Sequence, residues 1–206
     1  PSGNSGVLVT TLEGFRDYQL NQAQTWEHQA LCRARAVAGT KSMQSKVMSV
    51  IQEVISLPRD IQLLAHDVRS MRQKMIHHLA SKDSTVINLK QDHGGLIDIE
   101  FLAQYARLRF GHDANATVMI LQSIPCGAPY IWRKEAAKLA DIYLQYRQME
   151  NILRVELWAS IGSLPMNQDA TEWESMRRHT RITSPNILLE SMQYVHNCFN
   201  TLLLAS

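Results

Sequence analysis

The chain has 206 residues, of which 45% are hydrophobic and 19% charged, and its formal net charge is +2. Length and composition suit a globular protein of one large or two small domains. The small net charge argues against nucleic acid or a membrane surface as partner. The sequence contains no apolar run of about 18 residues, so no transmembrane helix is predicted. The chain begins Pro1-Ser2-Gly3 without an initiator Met, which predicts a segment of a longer polypeptide.

Three cysteines, Cys32, Cys126 and Cys198, lie far apart in the sequence. Their odd number and wide spacing are typical neither of a disulfide framework nor of a Cys-x-x-Cys metal site. We therefore expect reduced thiols in the core of a cytoplasmic protein.

The apolar pattern predicts an all-α helical bundle with a trace of β-structure at residues 7–10. Val7-Leu8-Val9-Thr10 is β-prone but too short to form a sheet alone. We expect residues 1–10 to be the tail of an upstream domain and residues 11–206 to be the helical bundle. The weakly alternating run Thr85–Leu89 is compatible with a short strand or an extended link.

Apolar residues follow helical spacing along most of the chain. The predicted helices cover residues 12–20, 23–37, 42–56, about 60–79, 95–110, 115–124, 131–161, 172–179 and 186–204. The helix that starts near Asp60 has an apolar stripe formed by Ile61, Leu64, Val68, Met71, Met75 and Leu79. We expect its basic residues Arg69, Arg72 and Lys74 to lie on a solvated edge beside that stripe.

The most informative segment is Gly94-Gly95-Leu96-Ile97-Asp98-Ile99-Glu100-Phe101. It is apolar apart from two carboxylates, and a buried carboxylate is costly unless it is paired or bound to a cation. On a helix that starts at the glycine pair, the two carboxylates point about 200° apart. Glu100 then shares a stripe with Gln104 and Arg107, and Asp98 lies on the opposite side near Arg109. The glycines would allow close approach of the backbone to a ligand.

Two interpretations of these carboxylates are open. In the structural one, Asp98 stabilises the positive N-terminus of the helix and Glu100 faces solvent. In the functional one, one carboxylate faces a phosphate–metal centre and the other orients a basic residue.

Polar residues also concentrate in the predicted helix at residues 26–35. His28 has no histidine or cysteine at metal-ligand spacing, so a structural histidine is favoured over a metal ligand. Arg33 and Arg35 point to different faces. Each is a candidate phosphate ligand or a member of a surface ion pair.

Several segments together resemble glutamine-synthetase adenylyltransferase, a bifunctional enzyme that adds AMP to glutamine synthetase and removes it. The matching segments are Pro1–Val9, Phe15–Gln19, Trp26–Leu31, Arg33–Arg35, Val68–Met75, Leu89–Lys90 and Gly94–Phe101. They carry the family's Val-Arg-x-Met-Arg-x-Lys-Met run and its Gly-Gly-x-x-Asp-Ile-Glu-Phe signature. The sequences Asp98-Ile99-Glu100 and Trp26-Glu27-His28-Gln29 resemble the C-terminal half of that enzyme, which adds AMP. After residue 110 the resemblance thins to Arg147, Glu150, Asn151 and Arg154.

The resemblance implies a helical domain that follows a nucleotidyltransferase domain, with the metal-binding Asp pair upstream of Pro1. It implies transfer of AMP from ATP to a tyrosine of glutamine synthetase, which regulates nitrogen assimilation. Mg²⁺ and ATP would be cofactors of the intact enzyme, and this segment alone would be inactive. The implied partners are glutamine synthetase, the PII signal protein and the upstream nucleotidyltransferase domain.

The resemblance also implies site residues. Asp98 and Glu100 would be catalytic residues that face the nucleotide cleft and tune the Mg²⁺–triphosphate, and no metal ligand is assigned. The implied nucleotide- and phosphate-binding residues are Lys90, Arg33, Arg35, Gly94 and Gly95.

The alternative is a regulatory or docking module that binds glutamine synthetase, glutamine or the PII signal protein without taking part in the chemistry. The environment of Asp98 separates the two hypotheses. A carboxylate exposed in a concave basic surface favours the catalytic role. A carboxylate buried in an ion pair with Arg109 or another bundle residue favours the docking role.

Overall fold

The computed structural model describes residues 9–111, 113–155 and 163–204, and within these ranges the fold is the predicted all-α bundle with one small sheet. No helix in the described ranges is long and apolar enough to span a membrane. The helices are α1 Leu12–Asn21, α2 Thr25–Leu31, α3 Lys41–Ile55, α4 Ile61–Leu79, α5 Leu96–Phe110, α6 Thr117–Gln122, α7 Tyr130–Val155, α8 Thr171–His179 and α9 Pro185–Leu204.

The sheet has two antiparallel strands, β1 Val86–Asn88 and β2 Ser163–Pro165, with Ile87 opposite Leu164. β1 confirms the strand alternative for the alternating run, whereas the sequence pattern did not predict β2. Of residues 7–10, where we expected a trace of β-structure, residues 9 and 10 are outside any strand, and residues 7 and 8 lie outside the described ranges. Strands of three residues are stable only where flanking elements hold them together.

Helix α5 lies at the centre of the bundle. It packs against α2, α4, α6, α7 and α9, and every residue from Leu96 to Leu108 is buried. The helix begins after Gly95 and ends at Gly111, whose φ of 72° terminates it, so both predicted ends are confirmed. Because α5 is buried on all sides, its polar side chains need partners inside the protein.

The largest difference from the predicted helices concerns residues 23–37. Helix α2 ends at Leu31, and the chain that follows is not helical. Arg107 on α5 donates to the carbonyl oxygen of Cys32, which is one of the carbonyls left without a helical partner at this end. Arg33 and Arg35 therefore lie in a non-helical segment, so the prediction that they occupy two faces of one helix is wrong.

The apolar stripe of α4 is also displaced. Leu64 and Val68 are buried, but Ile61 and Leu79 at the two ends are 38% and 50% exposed. Arg72, which we expected on a solvated edge, is buried one turn after Val68. The prediction for Arg72 is wrong because a buried guanidinium is tolerated where an anion and acceptor oxygens meet it.

The other helices begin and end close to their predicted residues. The predicted helix at 131–161 is described up to Val155, and residues 156–162 lie outside the described ranges. Cys32 and Cys198 are buried as expected, but Cys126 is exposed in the turn before α7.

Candidate functional site

Asp98 is enclosed in the bundle and faces no cleft. Its side chain is 1% exposed, and Oδ1 accepts a hydrogen bond from Nε of Arg72, a side chain that is itself 1% exposed. Oδ2 accepts from the backbone N–H of Gly94 at 2.6 Å. Arg109, the expected neighbour, instead donates to the hydroxyl of Tyr105 at 3.3 Å. The expectation that Asp98 faces the nucleotide cleft is therefore wrong, and its catalytic role stays an untested prediction.

Arg72 also holds the loop that precedes α5. Its Nη2 donates to the carbonyl oxygens of Gln91 at 2.9 Å and Asp92 at 3.1 Å. The carboxylate of Asp92 accepts from the backbone N–H groups of Ser81 and Asn88. One cation on α4 thus fixes this loop to the start of α5.

Gly94 and Gly95 approach the protein's own backbone. Gly94 has a φ of 76°, and an added Cβ would lie 1.8 Å from the carbonyl oxygen of Met192 on α9. A Cβ on Gly95 would lie 2.5 Å from the carbonyl oxygen of Leu89. The space that we expected for a ligand is occupied by α9 and by the loop, and nucleotide binding by these glycines stays a prediction.

Glu100 lies where the interior meets the surface. Its Oε2 is 2.8 Å from Nη1 of Arg33, and its Oε1 accepts from the hydroxyl of Tyr143 at 2.9 Å. The side chain of Glu100 is 11% exposed and that of Arg33 is 48% exposed. Burial and the adjacent carboxylate raise the pKa of Tyr143, so its hydroxyl keeps the proton that it donates. The structural interpretation, in which Glu100 faces solvent, is wrong.

The stripe formed by Glu100, Gln104 and Arg107 is confirmed, and its Gln104 and Arg107 face α2 and Cys32. Gln29 donates to the side-chain oxygen of Gln104 at 3.1 Å, and Arg107 donates to the carbonyl oxygen of Cys32. Successive turns of α5 therefore position the end of α2, and with it the guanidinium that Glu100 holds.

Two predicted phosphate ligands lie outside these contacts. Arg35 is exposed and Lys90 is half-buried. Among the described residues, neither side chain forms an ion pair. The structure therefore brings Arg33 to Glu100, and leaves Arg35 and Lys90 apart from both carboxylates.

A further buried carboxylate lies on α7. Glu150 is 1% exposed. Its Oε2 contacts Nη1 of Arg147, and its Oε1 is 2.9 Å from Nη2 of Arg154. Arg147 is one turn from Tyr143. Burial raises the pKa of Tyr143, and the nearby positive charge of Arg147 opposes that rise. Glu150 and its two arginines therefore follow Tyr143, which contacts Glu100, along α7.

Sequence reasoning missed the roles of Arg72 and Tyr143. A signal was present in both cases, because Arg72 is four residues after Val68 and Tyr143 is four residues after Leu139, at helical spacing along buried stripes. A polar group on such a stripe needs a partner inside the protein.

His28 is a structural histidine, as favoured from the sequence. Its Nδ1 is 3.0 Å from Nη1 of Arg59, and its Nε2 is 2.9 Å from the carbonyl oxygen of Gln19. Since a guanidinium only donates, Nδ1 accepts and the proton of the neutral ring is on Nε2. Burial lowers the pKa of His28. Within the described ranges, no group of three or more His, Cys, Asp or Glu side chains is arranged to hold a metal ion.

Comparison with protein families gives two matches along the chain. Residues 1–50 match glutamate-ammonia ligase adenylyltransferase, and residues 62–196 match GlnD PII-uridylyltransferase. The second match covers more than half of the chain, so the chain belongs to this family of nucleotidyltransferases. Taken together, the two matches identify a region of the glutamate-ammonia ligase adenylyltransferase type, which agrees with the resemblance found in the sequence. The second match contains Asp98, Glu100 and Glu150.

Proposed function

We propose that this chain is the helical region of an adenylyltransferase that transfers AMP from ATP to a tyrosine of glutamine synthetase. The two family matches support the class of reaction. The observation that carries the role of this region is the contact between Glu100 and Arg33, where a buried carboxylate holds a half-exposed guanidinium. Arg33 has further N–H groups that can bind phosphate oxygens of ATP, and Glu100 orients it.

Mg²⁺, which nucleotidyl transfer uses, does not fit either predicted catalytic carboxylate of this chain. Both oxygens of Asp98 and both oxygens of Glu100 have protein donors, and one donor in each case is a guanidinium. Mg²⁺ requires free oxygen ligands and several waters. We therefore assign metal binding to a separate nucleotidyltransferase domain of the intact enzyme, and expect residues 1–206 alone to be inactive. In this proposal Asp98 fixes the loop before α5.

An AMP-transfer assay tests this function. Labelled ATP, Mg²⁺ and glutamine synthetase are incubated with the 206-residue chain or with the intact enzyme, and with intact enzyme that carries Arg33→Gln. We expect transfer by the intact enzyme only, and a loss of roughly 10²-fold in kcat/KM for Arg33→Gln, as for removal of one positioned donor. The matched control is Arg178→Gln, because Arg178 pairs with Glu174 at an exposed site on α8.

Three results would contradict the proposal. Equal kcat/KM values for Arg33→Gln and Arg178→Gln would remove Arg33 from the site. Transfer by the 206-residue chain would show that the chemistry is complete within it. UMP transfer to the PII signal protein without AMP transfer to glutamine synthetase would favour the activity named by the second family.

A second candidate function is docking of a protein partner on the outer face of α4. Among the described residues, neither Arg69 nor Lys74 forms an ion pair, so neither cation on this helix is held by a carboxylate of the chain. The burial of Asp98 also favours this candidate. A cavity of about 450 Å³ on this face is lined by His66, Arg69, Ser70, Gln73, Lys74, His77 and His78.

Such a surface suits an acidic patch on glutamine synthetase or on the PII signal protein, and less clearly the small zwitterion glutamine. Lys74→Glu in the intact enzyme should then raise the KM for glutamine synthetase and leave the KM for ATP unchanged. An unchanged KM for the protein substrate, with unchanged regulation by the PII signal protein, would exclude this face as the docking surface.

A further inference from the structure

Glu150 has more cationic partners than its burial requires. One guanidinium is enough to neutralise one carboxylate, yet Glu150, at 1% exposure, contacts both Arg147 and Arg154. Burying a carboxylate is costly, and the ion pair recovers that cost only in part. The arrangement is therefore poorly explained by stability alone.

The exposure of the three side chains is uneven. The guanidinium-bearing side chains of Arg147 and Arg154 are 42% and 46% exposed, while the carboxylate between them is hidden. In the ordinary surface pair of α8, by contrast, Arg178 and Glu174 are both largely exposed. On α7 the carboxylate thus acts as an internal anchor that holds two cations at the surface.

The two arginines are seven residues apart, so their backbone positions are separated by about 10 Å along the helix. Glu150 lies between them and draws both guanidinium groups towards the same point. Each guanidinium has five N–H groups, and the contact with Glu150 uses only some of them. The local charge of this trio is +1.

Arg147, Glu150 and Arg154 lie next along α7 after Tyr143, the residue that contacts Glu100. Tyr143 donates to Glu100, and Arg147 lies one turn further along α7 within electrostatic reach of the same phenol. Two buried carboxylates therefore anchor three half-exposed guanidinium groups on neighbouring elements. We call Arg33, Arg147 and Arg154 the arginine cluster.

We propose that the arginine cluster binds a polyphosphate chain, and that Arg147 and Arg154 extend the phosphate site beyond Arg33. A planar guanidinium fork matches pairs of phosphate oxygens. Because the arginine cluster offers several guanidinium groups rather than one, an anion with several charges fits better than a single carboxylate. The choice of a nucleoside triphosphate rests on the proposed function, whereas phosphate-chain binding does not.

Isothermal titration calorimetry on the 206-residue chain tests this proposal with inorganic tripolyphosphate, ATP and AMP. Arg147→Gln and Arg154→Gln are made singly, so that Glu150 keeps one arginine and stays paired in each variant. We expect tripolyphosphate and ATP to bind, and each variant to weaken both roughly tenfold, which is about 1.4 kcal/mol. Affinity should also fall as salt is added.

Arg178→Gln is the matched control, since it removes the same charge from an exposed pair, and its affinities should stay within about twofold of the parent chain. Circular dichroism establishes that each variant is folded. Absence of tripolyphosphate binding, AMP binding as tight as that of tripolyphosphate, or equal losses in Arg178→Gln would each overturn the proposal. Since the readout is binding, tripolyphosphate binding without AMP transfer by the intact enzyme would contradict the proposed function alone.

Discussion

The ion pair between Arg72 and Asp98 allows a direct test of whether Asp98 supports the fold or the chemistry. Asp98→Asn keeps the size of the side chain and removes its charge. In the parent chain Oδ1 accepts from Arg72, and Oδ2 accepts from the N–H of Gly94 at 2.6 Å. An asparagine has only one acceptor oxygen, so one of the two donors would face the NH₂ group.

The expected loss follows from the burial of both partners. Each side chain is 1% exposed, and removing one partner of a buried pair costs about 3–5 kcal/mol. Arg72 keeps two carbonyl acceptors in the Asp98→Asn variant, so we expect the lower end, about 3 kcal/mol. Arg72→Met should cost about 4 kcal/mol, because it leaves a buried carboxylate and removes the donor to both carbonyls. The double variant should lose less than the sum, by about 2 kcal/mol.

Urea unfolding followed by circular dichroism measures this double-mutant cycle. The matched cycle uses Glu174→Gln and Arg178→Met at the exposed pair of α8, where we expect coupling of at most about 0.5 kcal/mol. An Asp98→Asn variant within about 1 kcal/mol of the parent chain, or an additive cycle, would refute the reasoning. If that stable variant also abolished AMP transfer in the intact enzyme, the catalytic role implied by the sequence resemblance would be supported.

Three further predictions concern other contacts. Gly94→Ala should lower the free energy of unfolding by about 3 kcal/mol or more, because its Cβ would overlap a carbonyl of α9. The control is Gly39→Ala, at a φ of 98° in open space, which should lower it by about 1 kcal/mol. Equal losses in the two variants would argue against the overlap. Burial lowers the pKa of His28 below the ordinary 6.5, so the unfolded chain binds the proton more readily and the free energy of unfolding should fall as the pH drops below about 6.5. In urea unfolding measured at several pH values, His28→Gln should flatten this part of the profile. An unchanged slope would exclude His28 as its source. Tyr143→Phe removes the hydrogen bond to Glu100 and should cost about 1–2 kcal/mol in urea unfolding; no measurable loss would mean that water replaces the phenol.

Local sequence patterns were enough to locate the helices and the informative segment. Three- and four-residue apolar spacing located most helix ends within two residues, and glycines marked both ends of α5. The stripe of Glu100, Gln104 and Arg107 also followed from the helical period alone. These features depend on residues close in the chain, which is why one sequence suffices for them.

The partners of the polar residues were decided only by the packing of the helices. Helix α5 is buried on every side, so its own period does not say which carboxylate reaches the surface. Arg72 meets Asp98 from 26 positions away, and Gln29 meets Gln104 from 75 positions away. The early end of α2 and the pairing of β2 have the same origin, since each depends on a group contributed by a distant segment. A buried charge or an unpaired carbonyl is costly alone, and which distant group relieves that cost is a property of the assembled bundle.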